Sequence, residues 1–546
     1  MSGNFIREFY KKKRWKWCLL ILVTVIVGLV APLKSFILQW LIDSETKEQA
    51  IYDLGIGLII ILITFITETM SRNIFSKLQC EAVEYIRNRC MNKILNRSME
   101  QYKRSGKAVD LSVLSNDMKL LSDDYYGAVY QILLYGSMLL FALFMYIYIN
   151  PALLIFVFIA AIAPLILPRL FDSKLKNSRR EYSDKLEKYT GNSTEILNGF
   201  EVIYDFNAKK GFQSGNVKAV AACAESEYTF LKVFNYSITL SSFLSNVLFF
   251  VVLLIGMMLV FNQKISLGYM VAATNLSNFI IAPCQVISQN YARIKASRKI
   301  REKIEELLKE EEIEEQKEEV EYPIKTVQVD NVEFQYEENR KILQHANLVC
   351  NSGEKIALIG KSGSGKSTLA KIVYGYLTNY QGKLYFNNKD AKKIDLQKLQ
   401  ERIGYVSQNS YVFHDTIRNN ICLYVEYPDR ELQQILEIVG LTKIINNLEN
   451  GMDTVIDENI KNFSGGELQR IILARILIKR YDMLILDEVT SNLDPETTEK
   501  VMQYILQLES AAIVITHDTY GEYMKKFDRI YQVCDGKVEM ERGQNV

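Results

Sequence analysis

Hydrophobic and charged positions are unevenly distributed along the 546-residue chain, and three long segments contain no charged residue. The first has 44 residues and lies between Asp124 and Arg169, and the others are residues 233–263, with 31, and 265–292, with 28. Each exceeds the roughly 18 to 20 apolar residues that a helix needs to cross a bilayer. The pattern predicts an integral membrane protein, and it excludes a cytosolic enzyme and a secreted disulfide scaffold.

The apolar segments predict six membrane spans. The first two lie near residues 17–42 and 51–69, and the last two near 234–261 and 268–290. The third and fourth form a hairpin inside the 44-residue segment, with its turn at Asn150-Pro151, because proline cannot continue the preceding helix. In the second span, the charge-free part is only 14 residues long, residues 54–67, which also fits a soluble core helix. Its place in the alternation of apolar segments and connections favours a membrane span.

Basic residues lie on one side of these spans. They are frequent before residue 17 and in the two long connections, residues 71–123 and 173–232, whereas the opposite loops carry only Lys47 and Lys264. By the positive-inside bias, both termini and both connections are expected in the cytoplasm. The connections contain few glycines or prolines and show helical apolar spacing. Each is expected to project from the membrane and return, with its tip near Gly106-Lys107 or Gly199-Phe200.

The last two spans carry many hydroxyl and amide side chains. These side chains either hydrogen-bond to neighbouring helices or line a water-filled cavity, and the sequence leaves both possibilities open. They are Asn235, Ser237, Thr239, Ser241, Ser242, Ser245, Asn246, Thr274, Asn275, Ser277, Asn278, Gln285, Ser288 and Gln289.

A charged segment after the spans indicates a domain boundary. Residues 301–321 are mostly Glu, Lys and Arg, which is typical of a solvated helix end and a linker. We therefore expect a transmembrane domain over residues 1–300, a linker over 301–325 and a second domain over 326–546. The net charge of +1, from 65 Lys+Arg and 64 Asp+Glu, lacks the basic excess of a nucleic-acid-binding protein. The eight cysteines have no zinc-site spacing.

The second domain contains a phosphate-binding motif. Residues 360–368 read GKSGSGKST, a complete GxxxxGK[ST] loop between an apolar strand and a helical pattern. Its glycines turn backbone N–H groups toward a phosphate, Lys366 reaches the β- and γ-phosphates, and Ser367 can hold Mg²⁺. A second apolar run ends in Asp487, which suits a magnesium shell, and Glu488, which is placed to polarise an attacking water. The motifs predict a nucleotide-binding domain.

The order of further motifs carries a resemblance to a known family. Gln408 follows an apolar strand, residues 462–467 read NFSGGE before a helical pattern, and Asp494 and His517 follow the Asp-Glu strand end. In this order the domain resembles the nucleotide-binding domain of ABC transporters. Six spans before such a domain resemble the half-transporter of ABC exporters. The resemblance implies a multidomain protein, in which an all-α six-helix transmembrane domain precedes an α/β P-loop ATPase domain.

The resemblance also implies a role for each motif residue. Glu488 is the expected catalytic base, His517 the switch histidine, and Gln408 the Q-loop residue that senses Mg²⁺ and the membrane domain. The residues expected to hold the metal are Ser367, Gln408 and Asp487. Tyr336 is expected to stack on adenine. The other residues expected to contact ATP are Gly360, Lys361, Ser362, Gly363, Ser364, Gly365, Lys366, Ser367, Thr368, Ser464, Gly465, Gly466, Glu467 and Asp494.

The signature motif departs from the family pattern in two positions. It reads FSGGE where the family usually has LSGGQ. Phe463 is a tolerable apolar replacement. Glu467 places an acid near the nucleotide site of the partner subunit, where charge repulsion weakens the site without inactivating it.

Together these features predict an ATP-driven transporter in the bacterial cell membrane that works as a dimer of two half-transporter subunits. We expect export of an amphipathic substrate such as a drug, lipid or peptide. Import of a siderophore or a similar small molecule is an alternative, and so is ATP sensing by a membrane regulator. The sequence does not decide the substrate, or whether the partner is a second copy or a different chain. No nucleic-acid partner is expected.

Overall fold

The computed structural model describes residues 4–97, 99–166, 171–309, 320–336, 341–407, 410–457, 463–517 and 522–543. The chain divides into two compact units, residues 1–96 with 105–310, and residues 97–104 with 311–546. The first unit is helical, and the second combines helices with two sheets. The predicted fold class is confirmed.

Long helices dominate the first unit. The helices up to residue 309 are α1 (Asn4–Lys12), α2 (Arg14–Leu33), α3 (Ser35–Asp43), α4 (Lys47–Leu95), α5 (Met99–Ser105), α6 (Lys107–Ser112), α7 (Met118–Leu120), α8 (Ala128–Ile149), α9 (Pro151–Ile166), α10 (Asp172–Asn198), α11 (Phe200–Asp205), α12 (Lys209–Phe261), α13 (Leu267–Ala296) and α14 (Arg298–Lys309). At 1.5 Å per residue, α4 and α12 are each more than about 70 Å long, so both extend well beyond a bilayer.

Five of the predicted spans coincide with helices that are long and apolar enough to cross a membrane. Among the described residues these helical stretches are Arg14–Asp43, Lys47–Leu95, Lys107–Ile149, Lys209–Phe261 and Leu267–Lys309. The predicted fourth span begins on α9, whose 16 residues precede residues 167–170, which lie outside the described part. At the predicted second span, the structure thus has a helix that is long enough to cross a membrane. The total of six spans stays a prediction.

Both predicted tips coincide with breaks between helices. Gly106 lies between α5 and α6 with a φ of 78°, a left-handed conformation that glycine adopts without strain. Gly199 separates α10 from α11. Residues 301–309 of the charged segment belong to α14, and the first compact unit extends to residue 310, while the domain bounds stay a prediction. Ile304 and Leu307 hold α14 in this unit because both are buried in its core.

Two π-helical stretches, Val113–Asp117 and Leu121–Gly127, interrupt the helix that leads into α8. A π-turn adds a residue to the helical turn and changes which side chains face the neighbours. Here it accompanies a buried Asp117, whose carboxylate accepts from Lys303 Nζ on α14 at 2.7 Å. No sequence pattern indicated these stretches.

The second unit is built on two sheets. Its strands are β1 (Thr326–Gln335), β2 (Lys341–Asn351), β3 (Lys355–Ile359), β4 (Gln381–Phe386), β5 (Lys389–Asp390), β6 (Ile403–Val406), β7 (Met483–Asp487), β8 (Ala511–Ile515), β9 (Arg529–Cys534) and β10 (Lys537–Gly543). One sheet has the order β2-β1-β4-β5 and is antiparallel. The other has the order β10-β9-β3-β8-β7-β6, with parallel pairing except between β9 and β10.

Helices surround the parallel sheet of this unit. They are α15 (Lys366–Val373), α16 (Leu396–Gln400), α17 (Ile417–Cys422), α18 (Asp429–Ile438), α19 (Thr442–Asn446), α20 (Gly465–Leu477) and α21 (Pro495–Gln507). Every residue of β3, β7 and β8 is buried, as expected for central parallel strands that are covered on both faces. Because these strands run in one direction, their carboxyl ends lie along one edge of the sheet.

Candidate functional site

The carboxyl edge of the parallel sheet brings the predicted chemical groups together. The P-loop follows β3, Asp487 ends β7 with Glu488 next to it, and His517 follows β8. Since β3, β8 and β7 are neighbours, the loops after them meet at this edge, which is where open α/β sheets bind ligands. The topology therefore explains why distant sequence motifs form one site.

The P-loop wraps around the ammonium group of Lys366. This side chain is buried, and its Nζ donates to the carbonyl oxygens of Gly360 at 2.8 Å and Lys361 at 2.9 Å. Burial lowers the pKa of Lys366, an effect that the charges of Glu488 and Asp487 oppose. Gly365 precedes α15 with a φ of 111°, and a Cβ there would come within 2.9 Å of Leu343 Cδ2. Only glycine fits this approach of the loop to β2.

Ser367 and Asp487 form a hydroxyl–carboxylate pair beside the loop. Ser367 Oγ donates to Asp487 Oδ1 at 3.0 Å. Burial raises the pKa of the Asp487 carboxyl, and the hydrogen bond from Ser367 opposes that rise. The Ser364 hydroxyl of the same loop is also buried, and it has no hydrogen-bond partner among the described residues. Two hard oxygen ligands and an unpaired hydroxyl next to a buried lysine fit a cation and a phosphate.

Glu488 and His517 face each other at this edge. His517 Nε2 lies 2.7 Å from Glu488 Oε1. Glu488 has a φ of 54°, an unusual conformation for a residue with a side chain, and its backbone N–H donates to Ile515 O at 3.1 Å. The strand pairing of β7 with β8 thus holds Glu488 in a left-handed conformation, with its carboxylate directed at the histidine.

Tyr336 lies at the end of β1 and contacts the start of α15. Its ring packs edge-on against Phe334, with 4.9 Å between the centroids, and its hydroxyl lies 3.5 Å from Thr368 Oγ1. The ring is largely exposed. An exposed aromatic face near the P-loop is available to a base.

The signature residues form the N-terminus of α20, where Ser464 and Glu467 cap each other. Ser464 is the N-cap of α20, and its Oγ accepts from Glu467 N at 3.3 Å. In return, Glu467 Oε2 accepts from Ser464 N at 2.6 Å and from Ser464 Oγ at 2.8 Å. This capping box follows from the serine and the acid three residues later. The described hydrogen bonds of the Ser464 N–H and hydroxyl therefore run to Glu467.

Two residues that the sequence analysis did not single out tie this helix to the acidic strand end. Gln469 Nε2 donates to the carbonyl oxygens of Glu488 and Val489, and Gln469 Oε1 accepts from Asn492 N. Arg470 Nη2 donates to Asp494 Oδ2 at 2.6 Å. Their position in the first turns of the helix that follows FSGGE could have indicated these contacts, because residues at the start of a helix often contact the loops beside it.

Asp494 caps α21. Its Oδ1 accepts from Thr497 N at 2.9 Å, and this hydrogen bond contributes most to lowering the pKa of the Asp494 carboxyl. The structure thus places Asp494 beside the signature helix, through Arg470, and not among the P-loop contacts described above.

A cavity of about 590 Å³ opens between the acidic strand end and the signature helix. Asp487 and Glu488 line one side, and Gly465 and Gln469 line the other. Ser407 also lines it, but Gln408 lies outside the described residues, so its predicted contact with metal remains a prediction. The cavity adjoins the groups that are expected to hold and hydrolyse a nucleotide.

Comparisons with known proteins agree with both units. Residues 17–284 match the family described as ABC transporter transmembrane region, and residues 343–491 match the family described as ABC transporter. The two matches follow one another in one chain, in the order that the fold shows.

Individual relatives differ in how much of their length the chain covers. A lactococcin-A transport/processing ATP-binding protein of Lactococcus lactis is 26% identical over 96% of this chain and 74% of its own length. An ATP-dependent lipid A-core flippase of Vibrio parahaemolyticus is 36% identical over 40% of this chain and 38% of its own. A mitochondrial iron-sulfur clusters transporter of Debaryomyces hansenii is 34% identical over 39% of this chain and 31% of its own. The chain thus spans less than half of the last two relatives.

The fold extends the similarity to the whole chain. A bacterial Atm1-family ABC exporter with ATP bound has a TM-score of 0.76, with 97% of this chain and 94% of the other covered at 18% identity. The chain therefore belongs to the ABC transporters, and it combines their transmembrane region and their ATP-binding domain in one polypeptide.

Proposed function

We propose that the chain is an exporter-type half-transporter, which works as a dimer and couples ATP hydrolysis to the export of an amphipathic substrate such as a drug, lipid or peptide. The observation that carries this proposal is the sheet edge, where Ser367, Asp487, Glu488 and His517 meet in a chain that also contains membrane-length helices. A regulator that only senses ATP has no need of an acid placed for hydrolysis. The relatives are named for three different substrates, so the comparisons leave the substrate class open.

The residues at the carboxyl edge of the parallel sheet have separate roles in ATP hydrolysis. The P-loop and Lys366 would hold the phosphates, and Ser367 and Asp487, with Gln408, would hold Mg²⁺. When bound, the cation neutralises charge on the phosphate oxygens. Glu488 takes the proton of the attacking water, and His517, which already contacts Glu488, orients that carboxylate and reaches the γ-phosphate.

A second subunit completes the site. The signature serine hydrogen-bonds to Glu467 in its own chain, and the signature helix contacts the loop of Asn492 and Asp494 through Gln469 and Arg470. Apart from the Ser464 donors that Glu467 occupies, the N-terminus of α20 is an anion-binding end, and we assign it to the nucleotide of another chain. The partner is a second copy or a different half-transporter, and the acid at position 467 favours a pair with unequal sites.

The membrane orientation follows from the basic residues. Both termini and both long connections lie in the cytoplasm of a bacterial cell, where ATP is available. Oriented vesicles test the direction of transport. With ATP outside, inside-out vesicles containing the dimer should accumulate substrate, and vesicles with Glu488→Gln should not. Uptake by right-side-out vesicles, with ATP enclosed on the side of the ATP-binding unit, would indicate an importer, such as one for a siderophore. Hydrolysis without uptake in either orientation would indicate a regulator.

Tyr336 is predicted to contribute stacking energy to ATP binding. Tyr336→Ala should raise the KM for ATP about tenfold, because a base that stacks on an aromatic ring gains roughly 1–3 kcal/mol. Tyr336→Phe is the matched control. It keeps the ring and loses only the 3.5 Å contact with Thr368, so its KM should stay within about twofold of wild type. Equal KM values for the Ala and Phe variants would contradict the stacking role.

Glu467 is predicted to restrain ATP binding by occupying the donors of Ser464. In Glu467→Gln, a neutral oxygen accepts less strongly from Ser464 N and Oγ, and the repulsion of the γ-phosphate disappears. The KM for ATP should therefore fall about three- to tenfold, a gain of roughly 1 kcal/mol.

Glu467→Asp separates the two effects. The shorter acid keeps the charge but cannot reach back to Ser464 in the same way, so its KM should lie between those of wild type and Glu467→Gln. A KM that is unchanged in both variants would show that the capping box does not compete with nucleotide.

A further inference from the structure

The loop that precedes α17, residues 410–416, is folded around one buried amide side chain. Asn420 lies on α17, and its Nδ2 donates to the carbonyl oxygens of Phe413 at 2.9 Å, Asp415 at 3.2 Å and Thr416 at 3.0 Å. Its Oδ1 accepts from Phe413 N at 2.8 Å. Thr416 is also the N-cap of α17. These hydrogen bonds fix the loop to α17, so that the two form one rigid piece.

Arg475 attaches this piece to the signature helix α20. Its Nε donates to Asn420 O at 2.7 Å, its Nη1 to Tyr411 O at 2.8 Å and its Nη2 to Asn420 Oδ1 at 3.2 Å. The guanidinium is half-buried, 5.7 Å from the centroid of the Phe413 ring, and burial lowers the pKa of Arg475. All three described acceptors are uncharged. The site therefore uses the fixed directions of several guanidinium donors, which a lysine does not have.

The first half of α20 contacts the acidic strand end. Gln469 donates to the carbonyl oxygens of Glu488 and Val489. Arg475 follows Gln469 by six residues, or about 9 Å along the helix axis. The loop residue Tyr411 and Glu488 both line the cavity of about 590 Å³, and α20 connects them along its wall. The helix thus has two attachments, one to the backbone of the acid and one to the loop.

We propose that Arg475 is a positioning residue for ATP hydrolysis, an inference that rests on the proposed role of Glu488 as the base. Because α20 is one helix of 13 residues, its attachment through Arg475 fixes the orientation in which Gln469 meets the backbone of Glu488. Glu488 has a φ of 54°, so the direction of its carboxylate depends on how this unusual backbone is held. Without Arg475, α20 shifts against the loop and misplaces the base.

Steady-state ATP hydrolysis by the full-length protein in nanodiscs tests this role. In Arg475→Met, kcat should fall about tenfold, because the base is displaced from its working geometry. The KM for ATP should stay within about twofold of wild type, because Tyr336, Lys366 and the P-loop are unaltered. Arg475→Lys should still lose at least about fivefold in kcat, since one ammonium group cannot span the carbonyls of Tyr411 and Asn420.

Arg529→Met is the matched control for the loss of a half-buried guanidinium. Arg529 begins β9 at the amino edge of the parallel sheet, and its Nε lies 2.6 Å from Glu354 Oε1. Its replacement should lower the unfolding temperature and leave kcat within about twofold of wild type. Thermal unfolding of every variant separates a defect in folding from a change in the folded enzyme.

A double-mutant cycle shows whether Arg475 and Gln469 act through the same helix. Gln469→Leu alone should lower kcat about tenfold, because it removes the contacts with the backbone of Glu488. If both residues position the base through α20, the kcat of the double variant should lie within about threefold of the lower single variant. Independent effects would instead multiply to about 100-fold.

The contrary outcomes are distinct. Wild-type kcat in Arg475→Met, full activity in Arg475→Lys, or multiplied effects in the cycle would each overturn the positioning role. A raised KM with unchanged kcat would assign Arg475 to nucleotide binding and also overturn it. If Arg475→Met does not fold, Arg475→Lys and its cycle with Gln469→Leu make the same comparison. The role of Glu488 fails separately, if turnover persists in Glu488→Gln.

Discussion

Replacing Glu488 with Gln should abolish ATP turnover while ATP still binds. The amide cannot accept a proton from the attacking water, and loss of a general base costs about 10²- to 10⁴-fold in rate. ATP affinity should change little, because the proposed phosphate-binding groups, Lys366 and the P-loop, are not altered. Steady-state hydrolysis by purified protein in nanodiscs and binding of a fluorescent ATP analogue measure the two quantities.

Glu539→Gln is the control for this experiment. Glu539 is an exposed acid on β10, and its replacement removes the same charge from the same unit. Its turnover should equal that of the wild type. Wild-type turnover in Glu488→Gln would disprove the role of the base, and loss of binding in that variant would mean that the acid shapes the nucleotide site.

The sequence predicted that the P-loop and the Asp-Glu pair follow buried strands, because an apolar run precedes each of them. Apolar runs marked β3 and β7 without ambiguity, and parallel strands place their carboxyl ends on one edge. The loops after them therefore had to meet, which the Ser367–Asp487 hydrogen bond shows. The direct pairing of His517 with Glu488 could not be predicted, since it depends on the unusual backbone conformation of Glu488.

The membrane unit was predictable in its spans and not in its details. A long uninterrupted apolar segment identifies a membrane span. The short helix α1, by contrast, is amphipathic and buries Phe5 and Phe9 in the core of the first unit. The basic residues around these two phenylalanines obscured that pattern in the sequence. The first π-helical stretch contains Asp117, which accepts from Lys303, a residue 186 positions further along the chain. Local patterns do not contain such contacts.

Lys366→Met should lower ATP affinity about 100-fold. The buried ammonium donates to two P-loop carbonyls, and we propose that it reaches the phosphates when nucleotide is bound. Hydrogen bonds from a charged donor contribute roughly 1.5–3 kcal/mol, and a loss near the upper value corresponds to about 100-fold in affinity. Titration with the fluorescent ATP analogue measures this loss.

Lys355→Met is the matched control, because Lys355 is a second buried lysine and lies at the start of β3, the strand that leads into the P-loop. Both side chains are 4% exposed, and burial lowers the pKa of both. Lys355 Nζ donates to the carbonyl oxygens of Gly353 at 3.0 Å and Leu508 at 2.7 Å, at the amino end of β3 and away from the P-loop. Its replacement leaves buried carbonyls unsatisfied and should lower the unfolding free energy by about 2–4 kcal/mol. Folded Lys355→Met should nevertheless bind ATP with wild-type affinity, so equal affinity losses in both variants would attribute the effect of Lys366 to burial of a charge and not to its position at the phosphate site.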